Sequence, residues 1–471
     1  MRRLDRRQFI GTAVGAAAVA RARSAAGQSK RPNVLFILAD DLGYGDLSCY
    51  GRPDYRTPVL DGFADQGIKF TSAYAAAPVC TPTRCAYVTG RYPQRLAVGL
   101  EEPLKPKDRH LGLEPGHPTI ASLLKANGYE TSLIGKWHLG WKPEFGPSRH
   151  GFDEFFGVLG GTVDYFTHRN SVAPGQPPAP GPPDLWENLK PIERVGYLTE
   201  LLSDKAVEYI RRPRTRPFFL SLHYTAPHSP WEGPEDEAIG HTSHGPGPMT
   251  DGGSQKIFAS MMKSMDAGIG RVLKALADAR LADDTLVIFT SDNGGERYSY
   301  HWPFSFQKLD LHEGGTRVPA IVRWPGVIPP GRVTDQAAIT MDWTATILAV
   351  TGTPADPAYP LDGLDLMPVC RGGRAAPDRT LFWRTVEHAA ARAGDWKYLA
   401  DKDGEYLFDL SVDPGEKADR RKGEAATFDR LKRQYVEWDA RMLPRPKEHG
   451  RVRSQGSWCA PQDSNLRPTD S

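Results

Sequence analysis

The chain alternates between two textures. Short, continuous apolar runs end abruptly in polar residues, and between them lie longer stretches in which apolar residues recur every three or four positions. Val34 to Ala39 is the first run and stops at Asp40-Asp41. An unbroken apolar run of this length is the pattern of a parallel strand buried on both faces. Thr285 to Thr290 repeats the design ahead of Asp292-Asn293-Gly294-Gly295. "GYETSLIGKWHLG" predicts a third strand ending near Lys136 and His138. Phe218 to Tyr224 predicts a fourth, followed by a proline-bracketed turn that holds His228. Helical spacing runs through Thr119 to Asn127, Tyr197 to Arg211 and Ile257 to Arg280. Strands alternating with helices predict an α/β fold with a large mixed, mostly parallel sheet sandwiched by helices.

Near Cys370 the texture changes. "TLFWRTVEHAAARAGDWKYLADKDGEYLFDL" reads as three short strands separated by turns, and "AATFDRLKRQYVEWDARML" as one amphipathic helix. The expectation is a main domain over 31–370 and a small C-terminal α+β domain with an antiparallel sheet over 371–446. The stretch 447–471 is polar and aperiodic and is expected to be a disordered tail.

The first 26 residues are set apart. A basic start, an apolar stretch from Phe9 to Ala20 and small residues near Ala26 form a secretory signal. Arg6-Arg7 followed by Gln8-Phe9-Ile10 gives it the twin-arginine form, against the alternative of a basic surface helix. The apolar stretch is too short to span a bilayer, so no stable membrane insertion is expected. The implied partner is the twin-arginine export machinery, and the implied location periplasmic or secreted. Cleavage after Ala26 would remove six Arg and one Asp. Lys+Arg then falls from 59 to 53, Asp+Glu from 57 to 56, and net charge from +2 to −3. Nothing in that balance suggests a nucleic-acid binder.

The polar residues at the predicted strand ends carry the chemistry. Open α/β sheets bind ligands at the carboxyl ends of their strands. Four runs deliver Asp40-Asp41, Lys136 with His138, His228, and Asp292-Asn293 to that edge. A single acid after a strand is usually a turn or a helix cap; two acid pairs after two apolar strands are harder to explain that way. Their hard oxygen donors suit Ca²⁺, with Mg²⁺ second, and not zinc. The stretch "PVCTPTRCAYVTGRYP" adds Cys80. Pro82 fits the first turn of a helix and Gly90 its end. Cys80 would then sit where the helix dipole favours negative charge, with Arg84 on the same face. Five cysteines at irregular spacing offer no CxxC or zinc pattern. A lone thiol beside hard oxygens can be a nucleophile, a ligand, or half of a disulfide with Cys49 or Cys85. Taken singly, His138 is better read as a packing histidine, His228 as a turn residue, and Lys136 and Lys308 as solvated charges; beside the cysteine and the two acid pairs they point to the site.

Cys80-Thr81-Pro82-Thr83-Arg84 followed by "AYVTGRYP" resembles the signature of the type I sulfatases, in the alkaline phosphatase superfamily. "ADDLGYGD", "GKWHLG", "APHSP", "TSDNGG", "HEGGTRVP" and "DWKYL…EYLFDLSVDPGE" extend the resemblance from about Asn33 to about Pro446. By texture it is nearest the arylsulfatase A and N-acetylgalactosamine-6-sulfatase groups. The resemblance implies that a modifying enzyme, the formylglycine-generating enzyme, oxidises Cys80 to formylglycine, an aldehyde whose hydrate is the nucleophile. It implies calcium held by Asp40, Asp41, Asp292, Asn293 and the modified Cys80. Arg84 would steady the hydrate. Lys136 and Lys308 would hold sulfate oxygens, His138 would assist collapse, and His228 would be the general acid. Two places depart from the pattern. The segment before Lys308 is "HWPFSFQ" and not glycine-rich, and Gly160-Gly161 stands where the family often has a polar residue. His168, His312, Trp141, Trp231 and Trp302 lie near the motif loops, lining a substrate cleft or simply packing there.

The expected activity is hydrolysis of a sulfate ester, of a sulfated saccharide or small aryl compound. The rivals are a phosphatase or phosphonate monoester hydrolase on the same fold, and a non-catalytic binder of sulfated glycans with an unmodified thiol.

Overall fold

The computed structural model describes residues 31–170, 183–236, 253–373 and 375–446. The expected signal (1–26) and tail (447–471) lie outside the described residues. Two sheets carry the fold. In chain order the large one receives β1 (Asn33–Ala39), β2 (Ile68–Tyr74), β3 (Glu130–Lys136), β4 (Glu154–Val158), β5 (Trp186–Glu187), β6 (Lys190–Pro191), β7 (Phe218–His223), β8 (Thr285–Ser291), β9 (Arg317–Arg323), β10 (Arg332–Thr334) and β11 (Ala338–Ile339). The strand order is β10-β2-β9-β8-β1-β7-β3-β4-β5-β6, with β11 also on β2. The central pairs β8-β1, β1-β7, β7-β3 and β3-β4 are parallel. β9 runs antiparallel between β8 and β2. This is the mixed, mostly parallel sheet expected.

The unbroken apolar runs are explained by what covers them. In β1, Leu35, Ile37 and Ala39 feed one core with α1 (Pro58–Asp65), while Val34, Phe36 and Leu38 feed the other with α2 (Cys80–Thr89) and α3 (Ile120–Ala126). α4 (Leu198–Arg211) and α5 (Gln255–Asp278) join the first core. A strand wedged between two cores has no solvent face, so the run from Val34 to Ala39 is apolar throughout. Thr119 caps α3 in a capping box with Ser122, fixing the start the sequence suggested. α2 begins at Cys80 and is stopped by Gly90, at φ 68°; the left-handed turn there suits glycine.

The second sheet has four antiparallel strands, β12 (Thr380–Arg384), β13 (Ala389–Ala393), β14 (Trp396–Ala400) and β15 (Glu405–Asp409), one more than the sequence suggested. The extra strand comes from an Ala-rich stretch with weak strand propensity, yet β13 is paired on both sides. A later helix, Ala425–Asp439, covers it, and a third core joins it to Tyr74, Ala86 and Leu311 of the main body. A buried ion cluster fastens the same junction. Lys397 of β14 lies 2.8 Å from Glu313 and 2.9 Å from Glu416, and Glu313 also pairs with Arg317 at 3.0 Å. Among the described residues, no helix is long and apolar enough to cross a membrane.

Candidate active site

β8, β1, β7 and β3 are neighbours in the sheet, so their carboxyl ends form one floor. Asp40 and Asp41 follow β1, Asp292 and Asn293 follow β8, Lys136 ends β3, and His228 sits in the turn after β7. α2 brings Cys80 and Arg84 over this floor. The polypeptide between β8 and β9 brings Lys308. All ten side chains expected at the site converge, and nine of them belong to buried residues, with Lys308 part-buried. Asp41 (φ 61°) and His138 (φ 56°) hold left-handed backbone conformations. That strain persists only where surrounding packing fixes it, a frequent feature of functional sites.

Three carboxylates face three cations. Arg84 is clamped to Asp292, with Nε at 3.0 Å and Nη2 at 2.9 Å from Oδ2. Its Nη1 donates to the Lys136 carbonyl at 2.8 Å. Lys136 Nζ lies 2.6 Å from Asp40 Oδ2. Lys308 Nζ lies 2.6 Å from Asp41 Oδ2, 2.9 Å from Glu296 and 3.2 Å from His228 Nε2. The second anchor of Lys308, Glu296, follows directly on "TSDNGG" and was not singled out from the sequence.

Cys80 Sγ lies 3.2 Å from His138 Nδ1. His138 Nε2 donates to the Leu104 carbonyl at 3.0 Å, so Nδ1 is the acceptor facing Cys80. Leu104 is held in turn by Thr81 Oγ1, which accepts its N–H at 3.1 Å. Neither Leu104 nor the glycine pair at 160–161 carried a sequence signal for this role. A Cβ on Gly161 would stand 2.3 Å from His138 Cε1, and one on Gly160 would stand 2.4 Å from Trp141. The glycines leave room for those rings where a polar residue was expected. Of the other residues noted near the loops, His168, His312, Trp141 and Trp231 are buried, and Trp302 is exposed. The four described cysteines are free, so Cys80 forms no disulfide with Cys49 or Cys85.

The electrostatics follow from burial. Burial pushes the Cys80 thiol up to about 11, with Lys136 and Lys308 opposing. Burial would raise Asp41, but His228, Lys308 and Lys136 hold it at about 2. Burial and then Asp40 push Asp292 up to about 7. Burial lowers His228 to about 4 and His138 well below the ordinary imidazole range.

The donor set fits a hard dication. Single ligand atoms of Asp40, Asp41 and His228 lie within 4.8 Å of one another. Asp40 Oδ1 and Asn293 Oδ1 are buried acceptors without a hydrogen-bond donor. Asn293 instead turns its amide nitrogen to Asp41 Oδ1 at 2.7 Å. A cation beside Asp41 would favour the opposite amide orientation and satisfy both oxygens. Asp292 borders this group, its Oδ1 accepting from the Asp41 N–H at 3.2 Å.

The Sulfatase family profile matches residues 32–353. This chain belongs to the sulfatase family. The sulfatase is 34% identical over 397 residues to N-acetylgalactosamine-6-sulfatase of Canis lupus familiaris, covering 79% of this chain and 72% of that protein. It is 34% identical over 435 residues to arylsulfatase A of Bos taurus, covering 82% of each. Among solved structures, Ps i-CgsB in complex with k-i-k-neocarrahexaose superposes with a TM-score of 0.79 at 30% identity, over 90% of this chain and 96% of that one. The family comprises sulfuric ester hydrolases, and the sulfatase is such an enzyme.

Proposed function

We propose that this sulfatase removes sulfate from a sulfated saccharide, with Cys80 converted to formylglycine and calcium held by Asp40, Asp41, Asp292 and Asn293. The observation that carries the reading is the placement of Cys80 at the start of α2, over the carboxylates at the ends of β1 and β8. The α2 N-terminus has no side-chain cap, so its field is available to an anion there. The saccharide part rests on the kinship with N-acetylgalactosamine-6-sulfatases and with a protein solved on k-i-k-neocarrahexaose.

When bound, the calcium ion supplies Lewis-acid charge for the sulfate oxygens and the nucleophile. As a hydrated aldehyde, residue 80 would supply the nucleophilic hydroxyl and a second one for release of the sulfate. The chain's own residues do the rest. Arg84, clamped by Asp292, presents a fixed positive charge beside residue 80. Lys136 and Lys308, each now on a carboxylate oxygen, are the two ammonium groups that would hold sulfate oxygens there. His138 keeps its proton on Nε2 at Leu104 O, which leaves Nδ1 facing residue 80 as the group that would take a proton there. His228 is fixed by Nδ1 at 2.5 Å from the Ser229 carbonyl, which leaves Nε2 to protonate the departing oxygen. An anionic ester nearby raises its pKa from about 4 and restores that proton.

Export by the twin-arginine route to the periplasm or beyond is part of the proposal and rests on Arg6-Arg7 and the apolar stretch after them. The test is inorganic sulfate release from a panel of sulfated saccharides, with matched 4-nitrophenyl sulfate and 4-nitrophenyl phosphate, before and after calcium chelation. Calcium-dependent release from a saccharide and preference for sulfate over phosphate are expected. Faster phosphate turnover would install the phosphatase reading, and tight glycan binding without release would install the binding-protein reading.

A further inference from the structure

The loop that delivers Lys308 carries an unusual load of exposed apolar surface. Trp302 is 69% exposed, and Phe306 and Leu309 are each 57% exposed. These are three of the ten large apolar side chains exposed among the described residues, within eight positions of one another. Phe306 (φ 61°) and Leu309 (φ 74°) also hold left-handed backbone, which bulky residues rarely adopt.

The loop is not loose. Leu309 N donates to Pro78 O at 2.8 Å, Lys308 N to Gly295 O at 3.1 Å and Gly314 N to Ser305 O at 2.9 Å. Ser305 Oγ donates to Gly415 O at 2.6 Å, and Glu313 N to Glu416 Oε2 at 2.6 Å. Phe304 lies under the Arg317 guanidinium at 4.5 Å. The Phe306 ring stacks on His312 at 4.0 Å and 24°, and His312 is fixed by Asp310 at 2.5 Å. A strained backbone pinned on both sides, with apolar side chains held in water, is costly for folding and suits a preorganised ligand surface. Phe306 is two residues before Lys308 and Leu309 one after, within ~7 Å of extended chain. That is about the width of one sugar ring from the lysine assigned to the sulfate.

We propose that Phe306 and Leu309, with Trp302 beyond them, form a stacking subsite for the saccharide unit next to the sulfated sugar. This rests on the sulfatase reading above and gives it a specificity element. The apolar face of a pyranose is the occupant. A small aryl sulfate ends at the sulfated ring and does not reach the platform.

The test compares kcat and KM of wild type, Phe306→Ala, Trp302→Ala and Trp302→Phe on 4-nitrophenyl sulfate and on sulfated oligosaccharides, k-i-k-neocarrahexaose among them. The oligosaccharide used is the one wild type turns over best. The expected result is a KM for the oligosaccharide raised about three- to tenfold by each Ala variant at near-constant kcat. Trp302→Phe keeps most of the affinity, and aryl sulfate kinetics stay within about twofold. Equal losses on both substrates would mean the loop only positions Lys308, and no change on either would leave the platform without a ligand. Both overturn the subsite. Turnover of aryl sulfate but of no saccharide also overturns it, removing the saccharide part of the proposed function while sparing sulfate-ester hydrolysis; turnover of neither ester removes the proposed function itself.

Discussion

Lys136→Met would isolate the charge that stands where a cation is proposed. Lys136 Nζ is 2.6 Å from Asp40 Oδ2 with both side chains fully buried, and the nearest other cation, Arg84 Nη2, is 3.6 Å from Oδ1. At an effective dielectric of 20, a pair at that distance attracts by ~6 kcal/mol, part of which is offset by desolvation of the ammonium. Removing one partner of a buried pair costs about 3–5 kcal/mol. For 471 residues, an unfolding entropy of ~2.1 cal/mol/K per residue gives ~1 kcal/mol/K, so Tm should fall by about 3–5 °C in EDTA. Saturating Ca²⁺ should remove most of that loss, because the ion supplies the missing positive charge to Asp40. By reciprocity the variant binds Ca²⁺ more tightly, ~10²-fold for ~3 kcal/mol of coupling. Scanning calorimetry with and without Ca²⁺, and calcium titration of both proteins, measure the two sides. An equal drop in Tm in EDTA and in Ca²⁺ would show that the ion does not share Asp40 with Lys136.

Three other perturbations follow from the same geometry. Gly161→Ala places a Cβ within 2.3 Å of the His138 ring; kcat should fall ~10²-fold with the fold intact, and a near-wild-type kcat would show that His138 does not need its present position. Glu313 has a folded pKa near 2, since Lys397, Arg317 and Arg392 outweigh burial. Its depressed value contributes stability above the unfolded carboxyl pKa, ~4.3, which is lost as pH falls from there toward 2. Glu313→Gln should therefore lower the urea midpoint at pH 7 and flatten its decline between pH 4.5 and 3; an unchanged slope would assign acid sensitivity elsewhere. Cys80→Ser should keep its fold and most of its Ca²⁺ affinity, the four other ligands remaining, yet release no sulfate, and wild-type-like turnover would remove residue 80 from the chemistry.

Much of the floor of the site was legible because its strands are buried on both faces. An apolar run that stops at Asp40-Asp41 or Asp292-Asn293 marks both the strand and the edge that binds ligand. Pro82 and Gly90 bracketed α2 well enough to put Cys80 at its first residue. Other contributions come from groups without a side-chain signature. Leu104 acts through its carbonyl and Gly161 through the absence of a Cβ, so neither residue type announces its role. Glu296 drew no notice in the sequence; it gains its role because the loop between β8 and β9 folds back, with Lys308 N on Gly295 O, and sets the lysine beside it. Ala389–Ala393 is a strand because β12 and β14 pair with it, a tertiary cause that alanine propensity opposes. β5, β6 and β11 are two residues each, too short for any periodicity to register.

The proposed chemistry stands or falls on residue 80 being an aldehyde, which peptide mass spectrometry on protein from its native host detects. Trypsin cuts after Lys69 and Arg84, releasing Phe70 to Arg84 with Cys80 as its only cysteine. The expected peptide is lighter than the thiol form, resists alkylation and reacts with a hydrazine. A peptide that alkylates completely as a free thiol would contradict it and leave the site without its proposed nucleophile.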